Sequence, residues 1–128
     1  MASEVQSTDV IKGYHAHVYY NADSKPAAAM LRTEIEARFN ITMGRWHDAP
    51  VGPHPMGSYQ VGFEPAQFSV LVPWLAMNRG KLIIFVHPLT GDVLREHTEN
   101  AIWLGQTQPL NMPALERAVA KARVPAPS

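Results

Sequence analysis

The sequence predicts an α+β domain of the ferredoxin-like type: a βαββαβ sandwich with two helices on one face of a four-stranded antiparallel sheet, followed by a C-terminal helical extension. Three observations carry this. Residues 12–20 are rich in β-formers, with Ala16, Val18 and Tyr20 on one face, and 82–86 are a continuous apolar run. Two other stretches repeat their apolar residues at three- and four-residue spacing, the signature of helices packed on a sheet. The elements succeed one another as strand, helix, strand, strand, helix, strand.

In the first strand, 12–20, Ala16, Val18 and Tyr20 share one face and His15, His17 and Tyr19 the other. Asn21-Ala22-Asp23-Ser24 is a turn of helix-capping residues, and Pro26 sits in a first helical turn, where its missing N–H costs little. Ala28, Leu31, Ile35 and Phe39 then predict a helix over 25–39. Residues 41–47 and 58–63 read as the second and third strands. Between them Pro50, Gly52, Pro53, Pro55 and Gly57 forbid regular structure, and a proline-stiffened loop of this length points to function.

The second helix is expected over 65–79, with Phe68, Leu71, Trp74 and Leu75 inward, a kink or break at Pro73, and Gly80 as its left-handed stop. The fourth strand, 81–87, is continuously apolar, which predicts burial on both faces. A short helix after Thr90-Gly91-Asp92 carries His97, and Leu115, Val119 and Ala122 place a last helix over 113–123. Residues 1–10 and 124–128 are expected to be loose, leaving 11–123 as a single domain.

Composition narrows the function classes. Eleven basic residues balance eleven acidic ones, so no global field favours nucleic acid or an anionic membrane. The absence of cysteine excludes disulfides, thiolate metal sites and cysteine nucleophiles. No secretory signal pattern opens the chain, and its longest apolar stretch, 68–77, is too short to span a bilayer. A cytoplasmic protein is expected. No nucleophile elbow, Walker loop or dinucleotide fingerprint occurs.

The histidines are the informative residues. His15 and His17 project from the sheet face away from the helices, His87 ends the fourth strand, and His97 follows on the short helix. His54 is bracketed by Pro53 and Pro55, which restrict the backbone and present the ring. His47, beside Asp48, reads as a strand-end residue outside the site. Imidazole is the commonest side-chain ligand of catalytic transition metals and the group that moves protons near pH 7. Carboxylates near the histidines are limited to Asp48, Glu64, Asp92 and Glu96. The residues alone leave three readings open: a metal-dependent oxygenase, a zinc hydrolase on the same histidines, and a non-catalytic small-molecule-binding or dimerisation module. An open sheet face bearing Tyr19 predicts a homodimer.

Several segments together carry a family resemblance. Gly13-Tyr14-His15-Ala16-His17-Val18-Tyr19-Tyr20, Gly52-Pro53-His54-Pro55, Val72-Pro73-Trp74-Leu75, Val86-His87-Pro88-Leu89-Thr90-Gly91-Asp92 and Ala101-Ile102-Trp103-Leu104-Gly105 resemble the DOPA 4,5-dioxygenase family over about residues 11–105. The resemblance implies a ferredoxin-like fold and a non-haem iron(II) site, which zinc can occupy in a purified sample. It also implies extradiol opening of a catechol, DOPA or a related aromatic acid, by O2. Under it, His17, His54 and His87 are the expected metal ligands, and His15 and His97 the acid/base and substrate-orienting groups. Tyr14, Tyr19, Tyr59, Trp74 and Trp103 are expected as aromatic walls, with Arg95 or Arg45 pairing with a substrate carboxylate.

Overall fold

The computed structural model describes residues 5–123. The expected tail, 124–128, and the first four residues of the expected loose N-terminus lie outside the described residues. A single 3-10 turn at Thr8–Val10 leads into β1 (Gly13–Tyr20), α1 (Lys25–Arg38), β2 (Thr42–Met43), β3 (Gly57–Phe63), α2 (Pro65–Asn78), β4 (Ile83–Leu89), α3 (Val93–Glu96), β5 (Ile102–Leu104) and α4 (Met112–Arg123). The sheet is antiparallel throughout, in the order β2-β3-β1-β4-β5. It has five strands where four were expected. β5 joins β4 through Ile84↔Leu104, Phe85↔Trp103 and Val86↔Ile102, and three residues are too few for alternation to announce a strand.

The pleat divides β1 as its alternation requires. Ala16, Val18 and Tyr20 enter a core with Tyr59, Val61, Phe63, Ile84 and Val86 from the sheet, Ala28, Leu31 and Ile35 from α1, and Leu71 and Leu75 from α2. Fully burying an aliphatic side chain of this kind is worth about 1.5–3 kcal/mol. Pro73 does not break α2, which runs unbroken past it. Pro73 and Ser69, whose carbonyl loses its helical partner, are both exposed, so the freed group faces water.

The expected strand 41–47 is interrupted. Met43 pairs with Val61, and the next pair is the isolated bridge His47↔Ser58, so four steps on one side face three on the other. One residue is extra, which makes this a bulge. Within it Gly44 donates to the Gln60 carbonyl at 2.7 Å, and a Cβ there would stand 3.2 Å from that oxygen. β4 begins two residues later than expected and continues through Pro88, which lies beyond the last residue β5 covers, on a locally unpaired edge that tolerates a missing N–H.

The second face of the sheet carries His15, His17 and Tyr19 of β1 and Ile83, Phe85 and His87 of β4. It is roofed by the proline-rich loop, by α3 and by Trp103, whose ring stacks on Phe85 at 4.5 Å. Tyr19 is only 1% exposed. Tyr19, the residue named for the expected dimer face, is therefore covered by the chain itself, while Ile83 and Trp103 on the same face are half-buried. Among the described residues no helix is long and apolar enough to cross a membrane.

Candidate metal centre

Register builds the site. His15 and His87 are directly opposed across β1 and β4, and His17, two residues along, stands diagonal to His87 opposite Phe85. On the other side of β1, His15 faces Gly62, where even a Cβ would lie 3.8 Å from the imidazole, so the ring has room. Two further histidines come from the roof. His54 is held by its own N–H donating to the Val51 carbonyl at 3.0 Å, and the loop is tied to the start of α4 by Asn111 N–H donating to the Pro53 carbonyl at 2.7 Å. Asp48 anchors the beginning of the same loop, accepting from Tyr20 Oη at 2.8 Å and pairing with Lys25 Nζ at 2.9 Å. His97 follows the last residue of α3, which Asp92 caps by accepting from Arg95 N–H.

The five rings form one cluster. His17 and His87 stack with ring centres 5.2 Å apart and Nε2 atoms 3.1 Å apart. His54 lies 4.2 Å from His17, His97 lies 4.2 Å from His87, and His15 lies 5.3 Å from His87. His87, His17 and His54 are 2%, 5% and 8% exposed. Burial and mutual repulsion keep them neutral. Burial, then His97, holds His87 at about 3 and His54 at about 4. His17 is held well below the usual imidazole value by burial and by its four neighbours, and His15 is lowered by burial against an opposing pull from Glu96.

Hydrogen bonds fix the tautomers. His87 Nδ1 meets the Pro88 carbonyl at 3.1 Å and His97 Nδ1 meets the Val93 carbonyl at 2.7 Å. A carbonyl only accepts, so both Nδ1 atoms carry a hydrogen, and the neutral His87 keeps its lone pair on Nε2. The ligand atoms of His15, His17 and His87 lie within 4.8 Å of one another, as do those of His87, Glu96 and His97. Two nitrogens each about 2.1 Å from one cation stand roughly 3.0–3.4 Å apart at angles between right and tetrahedral, and the His17–His87 separation of 3.1 Å falls in that range. Neutral imidazoles with oriented lone pairs in a dry site fit a divalent transition metal, and this cluster can hold one.

Glu96 is the site residue that sequence reasoning passed over, noting it only as one of four available carboxylates. It is buried, and its Oε2 accepts from Thr90 N–H at 2.6 Å, Gly91 N–H at 2.9 Å and Thr90 Oγ1 at 3.3 Å, closing the turn between β4 and α3. The signal available was its place beside His97 on a helix too short to need it otherwise.

The other expected residues are placed as follows. His15, His17, His54, His87 and His97 are brought together; Tyr19 and Trp103 border them. His54 belongs to neither group of converging ligand atoms; its Nδ1 meets Tyr19 Oη at 2.8 Å. Tyr59 and Trp74 are not at the site. Tyr59 lies in the helix-side core, donating to the Ala28 carbonyl at 2.8 Å under the Arg32 guanidinium, and Trp74 packs edge-on against Phe39. Tyr14 likewise packs on Phe63 and Phe68. Arg95 pairs with Glu99 at 3.0 Å and lines a groove of about 430 Å³ with Tyr14, Pro88 and Ile102, and Arg45 is exposed.

Residues 14–114 match the model of the Dopa 4,5-dioxygenase family. A DOPA 4,5-dioxygenase from Amanita muscaria is 39% identical over 111 residues, covering 80% of this chain and 49% of the fungal protein. An uncharacterised 21.2 kDa protein of Botryotinia fuckeliana is 35% identical over 116 residues, covering 81% of this chain and 63% of its own length. The chain thus spans about half to two thirds of these relatives. A crystal structure of a candidate dioxygenase from Nostoc punctiforme superposes with a TM-score of 0.88 at 47% identity, covering 89% of this chain and 99% of that one. With residues 14–114 matched by the family model and a 39% identical relative across most of this chain's length, the chain belongs to the Dopa 4,5-dioxygenase family.

Proposed function

We propose that the protein is a non-haem iron(II)-dependent extradiol dioxygenase that opens the ring of a catechol such as DOPA or a related aromatic acid, and that its strand order is a ferredoxin-like core extended by β5. The observation that carries the reading is the clustering of five imidazoles on one roofed sheet face, with the ligand atoms of His15, His17 and His87 converging, in a member of this family. Iron(II), when bound, supplies the redox chemistry that lets triplet O2 react with a closed-shell catechol. His15, His17 and His87 are the residues to hold it, because their ligand atoms converge and all three sit on two neighbouring rigid strands.

The remaining groups handle protons and orientation. A catechol that binds as an anion must lose a hydroxyl proton, and His97 Nε2, with its lone pair fixed by the Nδ1–H bond to Val93, is placed to accept it. Glu96, within ligand-atom range of both His87 and His97, stabilises the imidazolium that results. Phe85 and Trp103, stacked on one another, give a planar ring an aromatic wall and keep water from the reacting face. Anaerobic loading with iron(II) followed by a catechol panel in an O2 electrode tests the reading. Uptake of one O2 per catechol with a yellow product supports it. Tight zinc binding with hydrolytic activity and no O2 uptake refutes it.

A further inference from the structure

We infer that His54 is a fixed hydrogen-bond donor of the site, not a metal ligand, and that Tyr19 sets it in that role, so that the pair binds an anionic oxygen of the substrate. The nature of that oxygen, a catecholate, rests on the dioxygenase reading above. The assignment of the donor rests on geometry alone.

Tyr19 is buried on β1, and its hydroxyl has His54 Nδ1, at 2.8 Å, as its partner. A phenol is neutral near pH 7 and carries one hydrogen that must be accepted when the group is buried. No other acceptor among the described residues bonds this hydroxyl, so Tyr19 Oη donates and His54 Nδ1 accepts. The hydrogen of the neutral imidazole then belongs to Nε2, the opposite of the tautomer at His87 and His97, whose Nδ1 atoms face carbonyls. A metal at His54 Nε2 would require that hydrogen to move to Nδ1, against the Tyr19 hydroxyl, whereas among the described residues no hydrogen bond holds His17 Nδ1 and its Nε2 is free to give up its hydrogen. This agrees with the absence of His54 from both groups of converging ligand atoms.

The donor is well placed and well held. The His54 ring lies 4.2 Å from that of His17, beside the cluster. Pro53 and Pro55 restrict its backbone, and the bonds from Asn111 and to Val51 pin the loop from both ends. A neutral, pre-oriented N–H in a water-poor site suits charge that develops on an oxygen during reaction.

Imidazole tautomers are read by isotope-labelled histidine NMR on the protein with and without zinc, and metal content is measured on variants. The expected result is His54 with Nδ1 bare and Nε2 protonated, and loss of that preference in Tyr19→Phe. His54→Gln and Tyr19→Phe should keep wild-type metal content while His17→Ala loses it, and both should lower kcat on the order of 100-fold with little change in metal affinity. A hydrogen on His54 Nδ1, or metal loss in His54→Gln matching that in His17→Ala, overturns the inference. Tautomer and occupancy decide the role of His54 whether or not any catechol is turned over, so failure of the dioxygenase reading is seen separately.

Discussion

His87 is the residue the two possible ligand groups share, and it has one nitrogen to offer. Its Nδ1 is committed to the Pro88 carbonyl, so Nε2 can serve His15 and His17, or Glu96 and His97, but not both at once. One metal ion per chain is therefore expected, and His87→Ala should abolish tight binding; equilibrium dialysis showing two ions per chain would contradict this. His97→Ala should keep the metal and slow turnover on the order of 100-fold, read as metal content against kcat. The same burial that prepares the ligands makes the metal-free protein acid-sensitive. The folded pKa values of His54 and His87, about 4 and about 3, lie below the ordinary 6.5 of the unfolded chain. Above 6.5 neither state binds protons, and stability is unaffected; below it the unfolded chain takes up protons that the folded protein refuses. Stability should fall from pH 6.5 toward 4, by up to about 1.4 kcal/mol per pH unit for each histidine, in denaturant titrations. Much of this scale was legible. Alternation alone put His15 and His17 on one face, and the same alternation in 58–63 places Tyr59 with Val61 and Phe63 in the core. Tyr59 and Trp74 were misassigned because aromatic character, not face, was weighed. Glu96 was passed over because its value comes from a turn formed only by folding.

The roof is the least regular part of the chain and the part most exposed to small changes. Gly57 closes the proline-rich loop where β3 begins, and a Cβ there would stand 2.9 Å from the His47 carbonyl oxygen and 3.1 Å from that of Asp48. Both obstacles are backbone, so Gly57→Ala should cost about 1–3 kcal/mol and shift the loop that carries His54. An unfolding midpoint equal to wild type would show that the loop gives way freely. Helices α1 and α2 were predictable to within a residue because their apolar stripes are long and periodic. β2 and β5 were not, since one is a two-residue strand continued by a bulge and the other has three residues whose pairing is decided by the edge of β4. Pro73 shows the limit of a local rule: it predicts a lost hydrogen bond, but exposure of Ser69 and Pro73 lets solvent stand in.

At the scale of the whole molecule, one sheet serves two purposes. Its helix-side face stabilises the fold, and its second face, flanked by the loop before β3 and the segment after β4, holds five histidines from four places in the sequence. The order of elements made the division into two faces legible, while the completeness of the roof was not, because it depends on α4, Trp103 and the pinned loop meeting in space. The central claim is that this roofed cluster inserts both atoms of O2 into a catechol. The direct measurement is mass spectrometry of the product formed by iron-loaded protein and DOPA under isotopically labelled O2. Both oxygen atoms of one labelled molecule should appear in a product opened beside the two hydroxyl-bearing carbons. A product without label, or with the ring intact, would contradict the account.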